Sequence, residues 1–139
     1  MIQFANQESN FVLKNKLKIR GWVRNILKEE GKQPGDIAYI FCMDDYLLKL
    51  NIQYLNHHTL TDIITFDYNE NVRVSGDILI SVERIRENAE IFSKSFNEEL
   101  GRVMAHGVLH LVGYQDKSKE DKTRMTEKEN KYLVQFPNL

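Results

Sequence analysis

The chain has 139 residues, 42% hydrophobic and 28% charged, with a formal net charge of −1 at pH 7. That is globular material, with no room for a long disordered tail and no global charge that would attract nucleic acid, so any such contact has to be local. A single cysteine rules out an internal disulfide, and no apolar run reaches the length of a membrane span.

At this length the chain is expected to be one domain, 1–139, burying about two-thirds of its unfolded surface in a single core. Its first residues, MIQFANQESN, lack a basic region followed by an apolar block, so no secretory leader is expected and the cytoplasm is the default location.

MIQFAN reads as a short first strand, and an amphipathic helix follows from about Phe11 to Glu30, stopping at Gly31. Lys16, Arg20, Arg24 and Lys28 recur every four residues along it, opposite an apolar side of Leu17, Trp22, Val23, Ile26 and Leu27. Residues 11–32 carry seven basic side chains against Glu29 and Glu30, a local balance of +5. Such a stripe can meet phosphates, but a solvated helix face is the favoured reading. Pro34-Gly35 punctuates, and Asp36 to Met43 is a dense apolar run, read as a buried strand holding Cys42 as an inert core thiol. Asp44 is expected to cap a helix carrying Tyr46, Leu47, Leu50 and Tyr54.

Thr61 to Tyr68 and Val74 to Ser81 are β-rich runs around a polar turn at Asn69 to Asn71 and read as a hairpin. Ser81 is expected to cap a helix to about Ser93 and Asn97 a helix through Val112, and a charged final helix is expected from about Ser118 to Gln135. Strands and helices alternating before a run of helices predict an α+β fold with a mixed sheet of about four strands.

The chemistry concentrates in HGVLHLVGYQD. His106 and His110 are four residues apart, so on a helix their rings share one face and can converge on a cation. Gly113 can take φ > 0 and turn the chain, bringing Asp116 back as a third donor. Two imidazoles and a carboxylate suit one divalent ion, zinc first, with a fourth position for water; the carboxylate leaves nickel, manganese and iron open. His106, His110 and Asp116 are therefore the candidate metal ligands and catalytic residues. The order His-x3-His, Gly at +3 and a donor at +6 is that of the long zinc-protease motif, so a zincin-like metal helix is expected. Its general base is a glutamate after the first histidine. Here that position is Gly107, which makes peptide hydrolysis the weaker expectation.

Glu99 lies about two turns before His106 on the same side and reads as a surface residue, while Asp62, a short acid at the entrance of a strand, is the better partner for the histidines. Asp77 reads as a turn partner beside Gly76. His57 and His58 are adjacent in a loop and read as solvent-facing.

These motifs resemble the YbeY family of bacterial single-domain metalloproteins, regarded as rRNA maturation endoribonucleases. The family signature HGxLHLxGYDH is matched from His106 through Tyr114; Gln115 then stands where the family usually has aspartate, and Asp116 where the third metal histidine usually stands. Thr61, Asp62 and Phe66 align with a family segment ending in TDVLSF, and GDILIS, Gly76 to Ser81, is a third match. Where most members carry arginine after the aromatic of the second segment, this chain has Leu55 after Tyr54. The resemblance implies a metal-dependent, single-strand-type endoribonuclease in rRNA maturation and ribosome biogenesis, with rRNA and the ribosome or its proteins as partners, and neither DNA nor membrane. The competing readings are a metal-stabilised RNA- or ribosome-binding factor without turnover and, third, a metallopeptidase.

Overall fold

Nine elements form along the chain in a computed structural model that describes residues 1–139. They are β1 (Ile2–Asn6), α1 (Lys16–Glu29), β2 (Gln33–Cys42), α2 (Asp44–Leu55), β3 (Ile63–Asp67), β4 (Arg73–Ser81), α3 (Val82–Ile91), α4 (Phe96–Val112) and α5 (Lys119–Leu133). The strands build one mixed sheet in the order β1-β2-β4-β3, with β1, β2 and β4 parallel and β3 antiparallel to β4. The expected α+β class and four-strand mixed sheet are therefore present. β3 is an edge strand, and α4 packs across β3 and β4.

Alternation along β2 and β4 sends Ile37, Tyr39, Phe41, Val74, Ile78 and Ile80 to one face, where they join the main core with α1, α3, α4 and α5. That core includes Ile19, Trp22, Val23, Ile26 and Leu27 of α1 and Leu100, Val103, Met104, Val108 and Leu111 of α4. Leu47 of α2 packs on the other face with Cys42, Ile64 and Leu79. Cys42 is buried and its thiol is pushed up to about 12, first by burial and then by Asp44, in keeping with an inert core group.

Several boundaries differ from the sequence reading. The first helix starts at Lys16 rather than near Phe11, because Asn15 is left-handed at φ 56° and breaks the helical path. Phe11 lies instead in a preceding loop, its ring tilted against Phe41 at 5.0 Å and Phe96 at 5.9 Å between centroids. Leu17 falls outside the buried arc and is 77% exposed. Pro34-Gly35 lies inside β2, at the register irregularity between Pro34 and Ile37, where a bulge tolerates proline.

Asp44 is the first residue of α2 and not its cap; its carboxylate instead accepts from Ser81 Oγ at 2.7 Å and from Arg84 Nε at 3.0 Å. Ser95, not Asn97, caps α4, accepting from the Glu98 amide at 3.0 Å. Ser81 caps α3 as expected, and Ser118 caps α5, its hydroxyl accepting from the Asp121 amide while the Asp121 carboxylate accepts from the Ser118 amide.

Candidate metal centre

α4 puts Glu99, Arg102, His106 and His110 on one side, as three- and four-residue spacing dictates. Its opposite side is pressed on the sheet. A Cβ at Gly107 would lie 2.6 Å from Ile78 Cγ2 and 2.9 Å from Ile63 Cδ1. The position that carries glutamate in the protease motif thus faces packed side chains here, and only glycine fits that approach.

The helix ends at Gly113, φ 124°, whose amide donates to the carbonyls of His110 and Leu109 at 3.0 and 3.1 Å. The Tyr114 amide also donates to Leu109 O at 3.0 Å. Beyond this turn the chain doubles back, and Asp116 Oδ2 comes to 3.3 Å from His106 Nε2 and 3.4 Å from His110 Nε2. One donor atom from each of the three residues lies within 4.8 Å of the others. The predicted trio is brought together.

Tyr114 anchors the turn. Its hydroxyl donates to Glu30 Oε1 at 2.7 Å; Lys128 Nζ and the Tyr132 hydroxyl both donate to Glu30 Oε2, the former at 3.1 Å. Burial works against the Glu30 charge, but these three donors outweigh it and hold the carboxyl below its ordinary pKa. A carboxylate at the end of α1 therefore ties α5 to the loop that carries Asp116.

Sequence reasoning missed Glu129. Its side chain is 8% exposed between α4 and α5, with Oε2 2.7 Å from His106 Nδ1 and Oε1 accepting from Arg102 Nη1 at 2.9 Å. A carboxylate on Nδ1 favours the Nδ1–H tautomer, leaving the Nε2 lone pair turned toward Asp116 and His110. The signal was present in α5, where Met125, Glu129 and Tyr132 recur at four- and three-residue spacing and are the buried residues of an otherwise charged helix.

Asp116, His106 and His110 open onto a cleft of about 590 Å³ between α4, the β3 edge, the loop after α2 and α5; its wall also holds Leu55, His57, Asp62, Glu99, Arg102 and Glu129. Glu99 is 6% exposed, so the expectation of a surface residue is wrong: it stands in the cleft wall with Asp62, Arg102 and Glu129 around it. Burial and the neighbouring Asp62 raise its pKa, while Arg102 pulls the other way. Asp62 is likewise raised, first by burial, against an opposing attraction to His106. His57 lines the cleft, whereas His58 is exposed outside its wall. Asp77 accepts from the Tyr68 hydroxyl at 3.1 Å and takes no part in the centre.

Burial opposes a charged His106, yet the bond to Glu129 and the charges of Glu129, Asp116 and Asp62 prevail and its pKa lies above the ordinary histidine value. His110 moves the other way, lowered by burial and by His106 beside it. Two imidazole nitrogens and a carboxylate oxygen, one imidazole already oriented by a carboxylate, form a donor set that suits a divalent metal ion.

A mixed sheet carrying a helix-borne His-x3-His pair, with a carboxylate folded back onto it in an open polar cleft, defines an α+β protein with a candidate metal centre. The family model described as Endoribonuclease YbeY matches residues 3–137, and the chain belongs to the YbeY family. It is 50% identical over 136 residues to Endoribonuclease YbeY of Flavobacterium johnsoniae, spanning 98% of this chain and 97% of that one. With the protein of the same description from Flavobacterium psychrophilum it shares 51% over 136 residues, 98% and 96% of the two chains. The solution structure of TM1509 from Thermotoga maritima superposes with a TM-score of 0.66 at 29% identity, covering 98% of this chain and 89% of that one. No helix is long and apolar enough to cross a membrane.

Proposed function

We propose that residues 1–139 form one catalytic domain, a metal-dependent endoribonuclease that matures rRNA in the cytoplasm in association with the ribosome or its proteins. Zinc is the ion of choice, held by His106, His110 and Asp116. Membership of a family whose relatives are described as Endoribonuclease YbeY supports the reaction class. The observation that carries the site is the convergence of Asp116 Oδ2 on both Nε2 atoms, at 3.3 and 3.4 Å.

When bound, a divalent ion supplies Lewis-acid polarisation of a phosphoryl oxygen and eases deprotonation of the attacking water or ribose hydroxyl. The protein's share is to hold and orient. Glu129 keeps a proton on His106 Nδ1, so that Nε2 stays a lone-pair donor, and the Glu30–Tyr114 bond fixes the approach of Asp116. With no base at position 107, the half-buried Asp62 in the cleft wall is the carboxylate we assign as proton acceptor, in preference to the more deeply buried Glu99. A peptidase is the poorer fit because the base position is filled by sheet packing against Gly107. A purely structural ion is the poorer fit because the three donors face an open cleft.

The test is cleavage of rRNA-derived transcripts by purified, zinc-loaded protein. His110→Ala should abolish cleavage while leaving the circular dichroism spectrum unchanged. Cleavage that survives this change, or no cleavage by the native chain, overturns the assignment.

A further inference from the structure

We propose that Arg102 forms a phosphate-binding subsite beside the histidine centre, taking a phosphodiester that flanks the scissile one on a single-stranded RNA; the inference rests on the endoribonuclease reading above. Arg102 precedes His106 by four residues on α4, so the two side chains stand on one face about 6 Å apart along the helix axis. Among the residues of the cleft wall it is the one lysine or arginine, against the carboxylates of Asp62, Glu99, Asp116 and Glu129. A phosphodiester entering this cleft meets four acids and one fixed cation.

That cation is held ready. Nη1 donates to Glu129 Oε1 at 2.9 Å and Nη2 to Asn130 Oδ1 at 2.8 Å, which occupies two of the five N–H donors of a guanidinium and leaves three. Its side chain is 29% exposed, so those donors are not sealed in. Glu129 also bonds His106, and one carboxylate thereby places the guanidinium and the imidazole in a common frame. A guanidinium fixed in this way meets phosphoryl oxygens without first losing its rotamer freedom.

The basic stripe of α1 cannot serve the same phosphate. None of its residues lines the cleft, and Arg20 is turned into the fold, with Nε donating to Ile2 O at 2.9 Å and its guanidinium 5.2 Å over the Phe4 ring.

The experiment uses the full, zinc-loaded chain and a short 2′-O-methyl oligoribonucleotide, which keeps every phosphate while removing the free 2′-hydroxyls, with intact oligonucleotide verified after each titration. Affinity is followed by anisotropy across a salt series. For Arg102→Gln the expected result is a loss of roughly tenfold or more, the range for hydrogen bonds to charged groups. The slope of log K against log salt should flatten by about 0.7, the signature of one single-strand phosphate contact. Arg102→Lys should keep the slope and recover part of the affinity.

An affinity loss with an unchanged slope means that Arg102 only supports Glu129, and overturns the proposal, as does no change in either quantity. Should Arg102→Gln not fold, because Glu129 loses its counter-charge, the native chain labelled with 15N-arginine decides: the Arg102 Nε resonance moves on titration with the oligonucleotide, and a static resonance overturns the subsite. Native protein that cuts rRNA with a slope indifferent to Arg102 sinks this proposal alone. Protein that shows the Arg102-dependent slope but never cuts RNA sinks the endoribonuclease reading alone.

Discussion

Glu129 Oε2 lies 2.7 Å from His106 Nδ1, joining a buried carboxylate on the last helix to an imidazole on the helix before it. This bond sets which nitrogen of His106 faces the other donors, although twenty-three residues separate the partners in sequence.

Removing the Glu129 charge should therefore weaken metal binding without abolishing it. Glu129→Gln is expected to lower zinc affinity about 10- to 100-fold, the usual cost of losing a carboxylate partner of a ligating histidine. Competition against a chromophoric chelator measures it, and an affinity equal to that of the native chain would refute the orienting role.

Asp62 links the cleft to pH-dependent stability. Its folded pKa is raised by burial, so its contribution to stability is fully present below the unfolded aspartate pKa of about 4 and is lost as pH rises through the folded value. In metal-free protein, Asp62→Asn should raise the thermal midpoint by a few degrees at pH 7.5, and the advantage should vanish toward pH 4. Melts across that range check the sign. The same substitution should reduce RNA cleavage at least tenfold if Asp62 takes the proton.

Gly107 tests the packing of the metal helix on the sheet. Gly107→Ala places a methyl 2.6 Å from Ile78 Cγ2 and should cost about 1–3 kcal/mol, the range for overpacking a core. Denaturant titration reads this directly. Gly107→Glu should fail to fold rather than gain peptidase activity, since its side chain starts beneath Ile78 and Ile63.

Cys42 should be silent in the native state. With the thiol buried and pushed up to about 12, a disulfide reagent at pH 8 should titrate no thiol until denaturant is added, and then one per chain. Rapid native labelling would contradict the packing of the second core cluster around Leu47 and Leu79.

Periodicity along the chain was enough to read all nine elements and the α+β class, because strand alternation and helical spacing are local consequences of burial on one face. The donor trio was legible for the same reason: His106 and His110 are one turn apart, and Gly113 signals the reversal that returns Asp116. Local signals also misled. Asn15 stops α1 from starting at Phe11 through a left-handed backbone angle, and Pro34 enters β2 at a register irregularity that no spacing reveals.

What the sequence determined by itself was the set of ligand-capable residues, since helix geometry and a glycine turn link them over eleven positions. What only the tertiary structure decided was their surroundings. Glu129 reaches His106 because α5 packs on α4, Glu99 is buried in a wall shared with Asp62 and Glu129 from other segments, and Arg102 becomes the cleft's one fixed cation because the walls come from distant segments. Such contacts depend on how elements dock, a long-range balance of packing and desolvation that leaves no periodic trace in any single stretch of chain.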